Sequence, residues 1–119
     1  MAYTSMFLVD APERSVVDAL PGPLVLEFGV DWCPHCQLAQ PLLEQAMREY
    51  PELRHLKIED GPGRRLGRSF RIKLWPSLLL IRDGQELERL VRPTSEGEIS
   101  AALARLAGAQ IGPQRQTTI

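Results

Sequence analysis

The sequence has little of most things that would mark a specialised class. Two cysteines in 119 residues cannot build the disulfide framework of a small secreted domain, and two histidines offer few soft ligands for a structural zinc. Aromatic residues make up only 6% of the chain, and 14 basic against 15 acidic residues leave a net charge of −1. This composition gives no reason to expect nucleic acid or an anionic membrane as partner. No apolar run approaches the length of a membrane span. Met1 to Asp10 has no basic region and an apolar run of only four residues, so it does not read as a secretory signal, and the expected compartment is the cytoplasm. With 44% hydrophobic and 24% charged residues, what is left is one ordinary globular domain, large enough to fold without staples.

What is present is concentrated in Asp31-Trp32-Cys33-Pro34-His35-Cys36, which holds both cysteines in a C-x-x-C spacing. An apolar strand, Leu24 to Phe28, runs in, and a helical pattern, Gln37 to Tyr50, runs out. Proline suits the first position of a helix, so Pro34 makes Cys33 the N-cap, with unpaired backbone N–H groups aimed at its sulfur. That setting favours a thiolate, the nucleophile of disulfide exchange. Cys36, a turn further in, is placed to attack any mixed disulfide formed at Cys33, and is expected to be the buried, inert thiol beside an exposed one. A static bridge closing so short a loop would remove little unfolded-state entropy. Zinc would need two further ligands, with only His35 and His55 to draw on. Redox chemistry is therefore expected, with no metal and no cofactor.

Along the chain, Tyr3 to Val9 reads as a short edge strand, and Asp10-Ala11-Pro12-Glu13 as a capping box opening a helix to Leu20 with Val16, Val17 and Leu20 inward. The strand from Leu24 is apolar on both faces, apart from Glu27, as in the centre of a covered sheet. The outgoing helix carries Leu38, Leu42, Leu43, Ala46, Met47 and Tyr50 as its stripe, with Pro41 inside it. Leu53 to Ile58 reads as a strand, Arg64 to Phe70 as a short basic helix, and Leu78 to Ile81 as a strand. Asp83-Gly84 turns the last of these into another strand, Glu86 to Val91. Ser95-Glu96-Gly97-Glu98 caps a helix with Ile99, Ala102, Leu103 and Leu106 on one face, ending at Gly108. The domain spans 1–108, and 109–119 reads as a polar, disordered tail. Periodicity alone gives an α/β protein with a mixed sheet.

Trp-Cys-x-x-Cys after a buried strand resembles the thioredoxin family, and the Pro34-His35 pair is similar to the active site of the periplasmic disulfide-forming oxidases of that superfamily. The likeness covers roughly Pro21 to Leu106. It implies a thioredoxin fold, a central mixed β-sheet flanked by helices, and a thiol–disulfide oxidoreductase. By that resemblance Cys33 is the nucleophile, Cys36 the resolving thiol, and Glu27 matches the family's buried acid that handles the inner cysteine's proton. Lys57 falls where the family keeps a lysine near that acid. His35 would tune the thiolate. Pro76 matches the family's cis-proline, and Trp75 before it, with Trp32, Pro34 and Arg92, would form the substrate surface. Gly29 and Arg92 depart from the pattern, standing where a tryptophan and a glycine are usual.

The expected function is a monomeric, cytoplasmic reductant of protein disulfides in cell redox homeostasis, supplied by a reductase or another dithiol donor. The alternatives are a net oxidase or isomerase, or a non-catalytic binding module or assembly chaperone.

Overall fold

In the computed structural model, which describes residues 3–108, the elements run α1 (Arg14–Asp18), β1 (Pro23–Gly29), α2 (Pro34–Met47), β2 (Arg54–Glu59), α3 (Arg65–Ser69), β3 (Ser77–Arg82), β4 (Gln85–Val91) and α4 (Glu96–Gly108). The tail expected beyond 108 lies outside the described residues. Strand order is β2-β1-β3-β4, with β1 parallel to β2 and antiparallel to β3, and β3 antiparallel to β4. Asp83 and Gly84, both with positive φ, make the tight β3–β4 turn, as the Asp-Gly pair predicts.

The two faces of β1 are covered by different layers. Leu24, Leu26 and Phe28 pack with Val17 of α1, Leu66 of α3 and Phe70. Val25 points the other way, into Leu43 and Met47 of α2 and Ile99, Leu103 and Leu106 of α4. Alternation along the strand puts Glu27 and Gly29 on this second face, under α2. The parallel register sets Val25 opposite His55 and Glu27 opposite Lys57. Three polar side chains are thereby gathered beneath the first turns of α2.

Four details differ from the sequence expectations. The segment from Tyr3 to Val9 forms one isolated bridge, Leu8 with Ile58, and no strand. At Leu8 the backbone N–H donates to the Lys57 carbonyl and the carbonyl accepts from Glu59 N–H, while upstream β2 side chains take over: Thr4 N–H donates to His55 Nδ1, and the Ser5 carbonyl accepts from Lys57 Nζ. The Asp10–Glu13 box does not form. Glu13 is itself the N-cap of a five-residue α1, with no side-chain cap bond. The approach is held from outside instead, by Arg64 Nη1 on the Val9 carbonyl and by Arg14 on the Ser69 carbonyl. Val16 stays exposed while Val17 is buried. In α2 Ala39 takes the core position, and Leu38 is left 72% exposed beside the dithiol. At the second box the Ser95 cap forms, Glu98 N–H donating to Ser95 Oγ at 3.1 Å, while the Glu98 carboxylate returns one residue further out, accepting from Thr94 N–H.

Candidate active site

Cys33 caps α2, as Pro34 predicts: Pro34 is the first helical residue, and Cys36 N–H donates to Cys33 Sγ at 3.4 Å. The Cys33 thiol faces the Trp75 carbonyl oxygen at 4.0 Å, and the Trp75–Pro76 peptide bond is cis. Both cysteines are free, and Val30 and Trp75 pack over them. Exposure does not separate the two sulfurs as expected, since Cys33 is 5% exposed and Cys36 2%. Chemistry does separate them. Burial, followed by the Cys33 sulfur and the Glu27 charge, pushes the Cys36 thiol up to about 12, against a smaller downward pull from the Val30 backbone.

Trp32 is exposed, and its ring meets Trp75 edge-on with centroids 5.7 Å apart. Trp75 Nε1–H donates to Asp60 Oδ2 at 2.8 Å, which fixes the indole. Arg92 takes a left-handed backbone (φ 53°), the conformation in which glycine would be unstrained. Its Nε–H donates to the Trp75 carbonyl at 2.8 Å, and its backbone N–H to the Pro76 carbonyl at 2.9 Å. Arg92, Pro93 and Thr94 face His35, Leu38 and Leu42 across a shallow cavity of about 300 Å³. Pro34 and His35 are exposed. The hydrogen-bond partners of Cys33 Sγ are Cys36 N–H and the Trp75 carbonyl, so the His35 ring is not brought onto the sulfur.

Glu27 has no exposed side-chain surface. Its Oε1 meets His55 Nε2 at 2.9 Å, and its Oε2 accepts from Gln40 Nε2 at 2.7 Å. Lys57, also buried, does not pair with Glu27 directly; Nζ donates to Gln40 Oε1 at 2.7 Å and lies 4.5 Å over the Phe7 ring. Gly29 leaves room for the inner sulfur: a Cβ there would stand 2.6 Å from Cys36 Sγ and 3.3 Å from Phe7 Cζ. His55 and Gln40 do not announce themselves in the sequence. The available signal was the alternation of His55 and Lys57, which puts both on one face of a strand next to Glu27.

A dithiol on a helix N-terminus, facing a cis-proline loop and backed by a buried carboxylate on a central strand, defines a thiol–disulfide oxidoreductase site. The sequence profile of thioredoxin matches residues 8–105. The structure of reduced thioredoxin 2 from Pseudomonas aeruginosa PAO1 is similar with a TM-score of 0.81 at 51% identity, over 90% of this chain and 99% of that one. Thioredoxins of Chlamydia muridarum and Chlamydia trachomatis are 35% and 31% identical over 80 residues, 66% of this chain and 78% of each relative. The chain belongs to the thioredoxin family and is a protein-disulfide oxidoreductase with Cys33 and Cys36 as its cysteine pair.

Proposed function

We propose that the protein is a cytoplasmic reductant of protein disulfides, acting as a monomer and re-reduced by a reductase or another dithiol donor. The Cys33 thiolate attacks one sulfur of the substrate disulfide. A Cys33–substrate S–S bond forms, the substrate bond breaks, and the other sulfur leaves as a thiolate that is protonated from solvent. Cys36 then attacks Cys33 Sγ, closing the internal disulfide and releasing the second substrate thiolate, while the Cys36 proton passes to Glu27. Two electrons have moved from dithiol to substrate. Trp32, Trp75, Pro34 and Pro76 form the docking surface, and Arg92 limits access to it. His35 adjusts the potential from the rim.

The observation that carries this reading is the asymmetry of the pair: Cys33 Sγ receives a helix N-terminal N–H, while Cys36 is held protonated by its surroundings. Incubating Cys36→Ser with disulfide-bonded insulin should trap mixed disulfides through Cys33, whereas Cys33→Ser should trap few. Trapping mainly through Cys36 in Cys33→Ser would reverse the roles, and no insulin turnover by the wild type with any dithiol donor would remove the catalytic reading.

A further inference from the structure

Behind the dithiol, buried and half-buried side chains form a hydrogen-bonded cluster whose direction is fixed from its ends. We propose that His55 and Gln40 are positioning residues that hold Glu27 as a carboxylate, ready to receive the Cys36 proton. The proposal rests on the reading of Glu27 as the proton acceptor, and it adds two residues that act only through Glu27.

The argument follows the hydrogens. Thr4 N–H is a backbone group that can only donate, and it donates to His55 Nδ1 at 2.8 Å. The ring must then carry its proton on Nε2, which lies 2.9 Å from Glu27 Oε1 and donates to it. On the other side Lys57 Nζ brings only hydrogens, and one goes to Gln40 Oε1 at 2.7 Å. The Tyr3 hydroxyl donates to the same oxygen at 2.7 Å; burial, with Glu27 and Glu44 nearby, pushes that phenol up to about 12, so it keeps its proton. The Gln40 amide therefore faces inward with its NH2, one hydrogen to Glu27 Oε2 at 2.7 Å and one to the Cys36 carbonyl at 3.1 Å. Two donor chains, begun by groups that cannot reverse, converge on one carboxyl group.

A carboxylate satisfies both chains with charge-assisted bonds and keeps further lone pairs free. A carboxyl proton placed toward His55 would force the ring proton onto Nδ1, against Thr4 N–H. Placed toward Gln40, it would turn the amide NH2 onto Lys57 and strip the Cys36 carbonyl of its donor. The open direction is toward Cys36, whose sulfur sits over Gly29, two residues along the same face of β1. The titratable groups that face Glu27 are His55 and Lys57 from β2, Cys36 from α2 and Tyr3 from the N-terminal segment, while β3 brings only Leu78 opposite it. With Nδ1 occupied, the ring cannot pass a proton onward. His55 serves as a donor and not as an acid–base relay.

The test uses the reduced full chain and Ellman's reagent, which releases one thiolate when Cys33 attacks and a second when Cys36 resolves. His55→Leu and Gln40→Leu should leave the first release unchanged. They should slow the second about tenfold at neutral pH, about 1.4 kcal/mol on the barrier, and make it depend more steeply on hydroxide. His55→Gln can place an N–H where Nε2 lies, yet cannot titrate, so it should restore the wild-type rate and pH profile. Glu27→Gln is run in parallel. If it leaves the second release unchanged, the reading of Glu27 as proton acceptor fails, and the proposal with it. If it slows that release while His55→Leu and Gln40→Leu do not, the acceptor reading stands and the proposal is overturned. A His55→Gln as slow as His55→Leu also overturns it. Should the leucine variants not fold, the infrared carboxylic-acid band assigned through Glu27→Gln decides. The reduced wild type should lack this band at neutral pH, and its presence there would overturn the proposal.

Discussion

In front of the dithiol, Trp32 and Leu38 are each 72% exposed, His35 lies at the rim, and Arg92 reaches across to the Trp75 carbonyl. Behind it, Glu27, His55 and Lys57 are buried, and every polar atom named there has a partner. The front is apolar surface with one cation on it; the back is polar and closed. Apolar surface left in water is available for burial against a partner, whereas buried polar groups without partners would be penalised by several kcal/mol and must be completed internally. On the function proposed above, the difference separates two tasks: the front would decide which disulfide reaches Cys33, and the back what happens to the Cys36 proton. Changes in front should therefore alter partner choice and poise, and changes behind should alter resolution.

The largest expected effect tests the back. A Cys36 thiol pushed up to about 12, against an ordinary 9.0, has at pH 8 on the order of 10³ less thiolate than a free cysteine peptide. Initial iodoacetamide labelling of Cys36 in the reduced wild type, read by peptide mass spectrometry, should be slower by at least that factor and should rise with pH beyond 9. The same shift sets a stability window. Below 9 the thiol is protonated in both states; between 9 and 12 the unfolded chain ionises first, so this group's contribution to stability falls as pH rises. Labelling of Cys36 at the rate of the peptide would mean that the back is open.

The two sides were not equally legible in the sequence. The front is local: Trp32, Cys33, Pro34 and His35 are contiguous, and a proline at the first helical position dictates the cap whatever the rest of the chain does. Glu27 stood out as one acid on an apolar strand, because a lone carboxylate there needs partners. Its partners stayed hidden since they are set by register. His55 reads as dilution of a weak strand until the parallel β1–β2 pairing puts it one residue pair from Lys57 on the face that holds Glu27. Gln40 reads as an ordinary polar helix residue until Pro41 and the apolar stripe fix which way α2 faces. The N-terminal segment was misread as a strand for a related reason. Its ladder bonds are confined to Leu8, the Thr4 amide and Ser5 carbonyl are claimed by side chains of β2, and alternation in a short sequence does not distinguish a full ladder from that arrangement.

In front, Arg92→Gly should sharpen the contrast by increasing activity. The guanidinium holds the Trp75 carbonyl that faces Cys33 Sγ, and a substrate backbone that needs this carbonyl must first displace it. Removing a hydrogen bond worth about 1 kcal/mol should raise kcat/KM for insulin reduction about fivefold. Glycine at φ 53° should meanwhile relieve about 1–2 kcal/mol of left-handed strain, so a urea melt should show little net loss of stability. A fall in kcat/KM would mean that Arg92 recruits substrate and does not guard the carbonyl.

The smallest expected effect belongs to His35. A charge or dipole that stabilises the Cys33 thiolate favours the reduced protein, since only that form has the anion, and so makes the couple more oxidising. A ring hydrogen-bonded to the sulfur could shift the potential by about 30 mV or more, the equivalent of about 1.4 kcal/mol for two electrons. Here the sulfur takes its hydrogen bond from Cys36 N–H, and the imidazole is exposed, so any influence of the ring on the thiolate would have to pass through solvent. Exposed charge interactions are worth about 0.2–1 kcal/mol, which corresponds to roughly 5–20 mV. His35→Ala should accordingly become more reducing by about 10 mV, close to a twofold change in the equilibrium constant against a glutathione buffer. Salt tells the two origins apart. An effect through solvent should shrink between low salt and 1 M, where the Debye length falls to about 3 Å, while a direct hydrogen bond would persist. A shift well above 30 mV that survives high salt would place the ring on the sulfur and move His35 from the rim into the reacting centre.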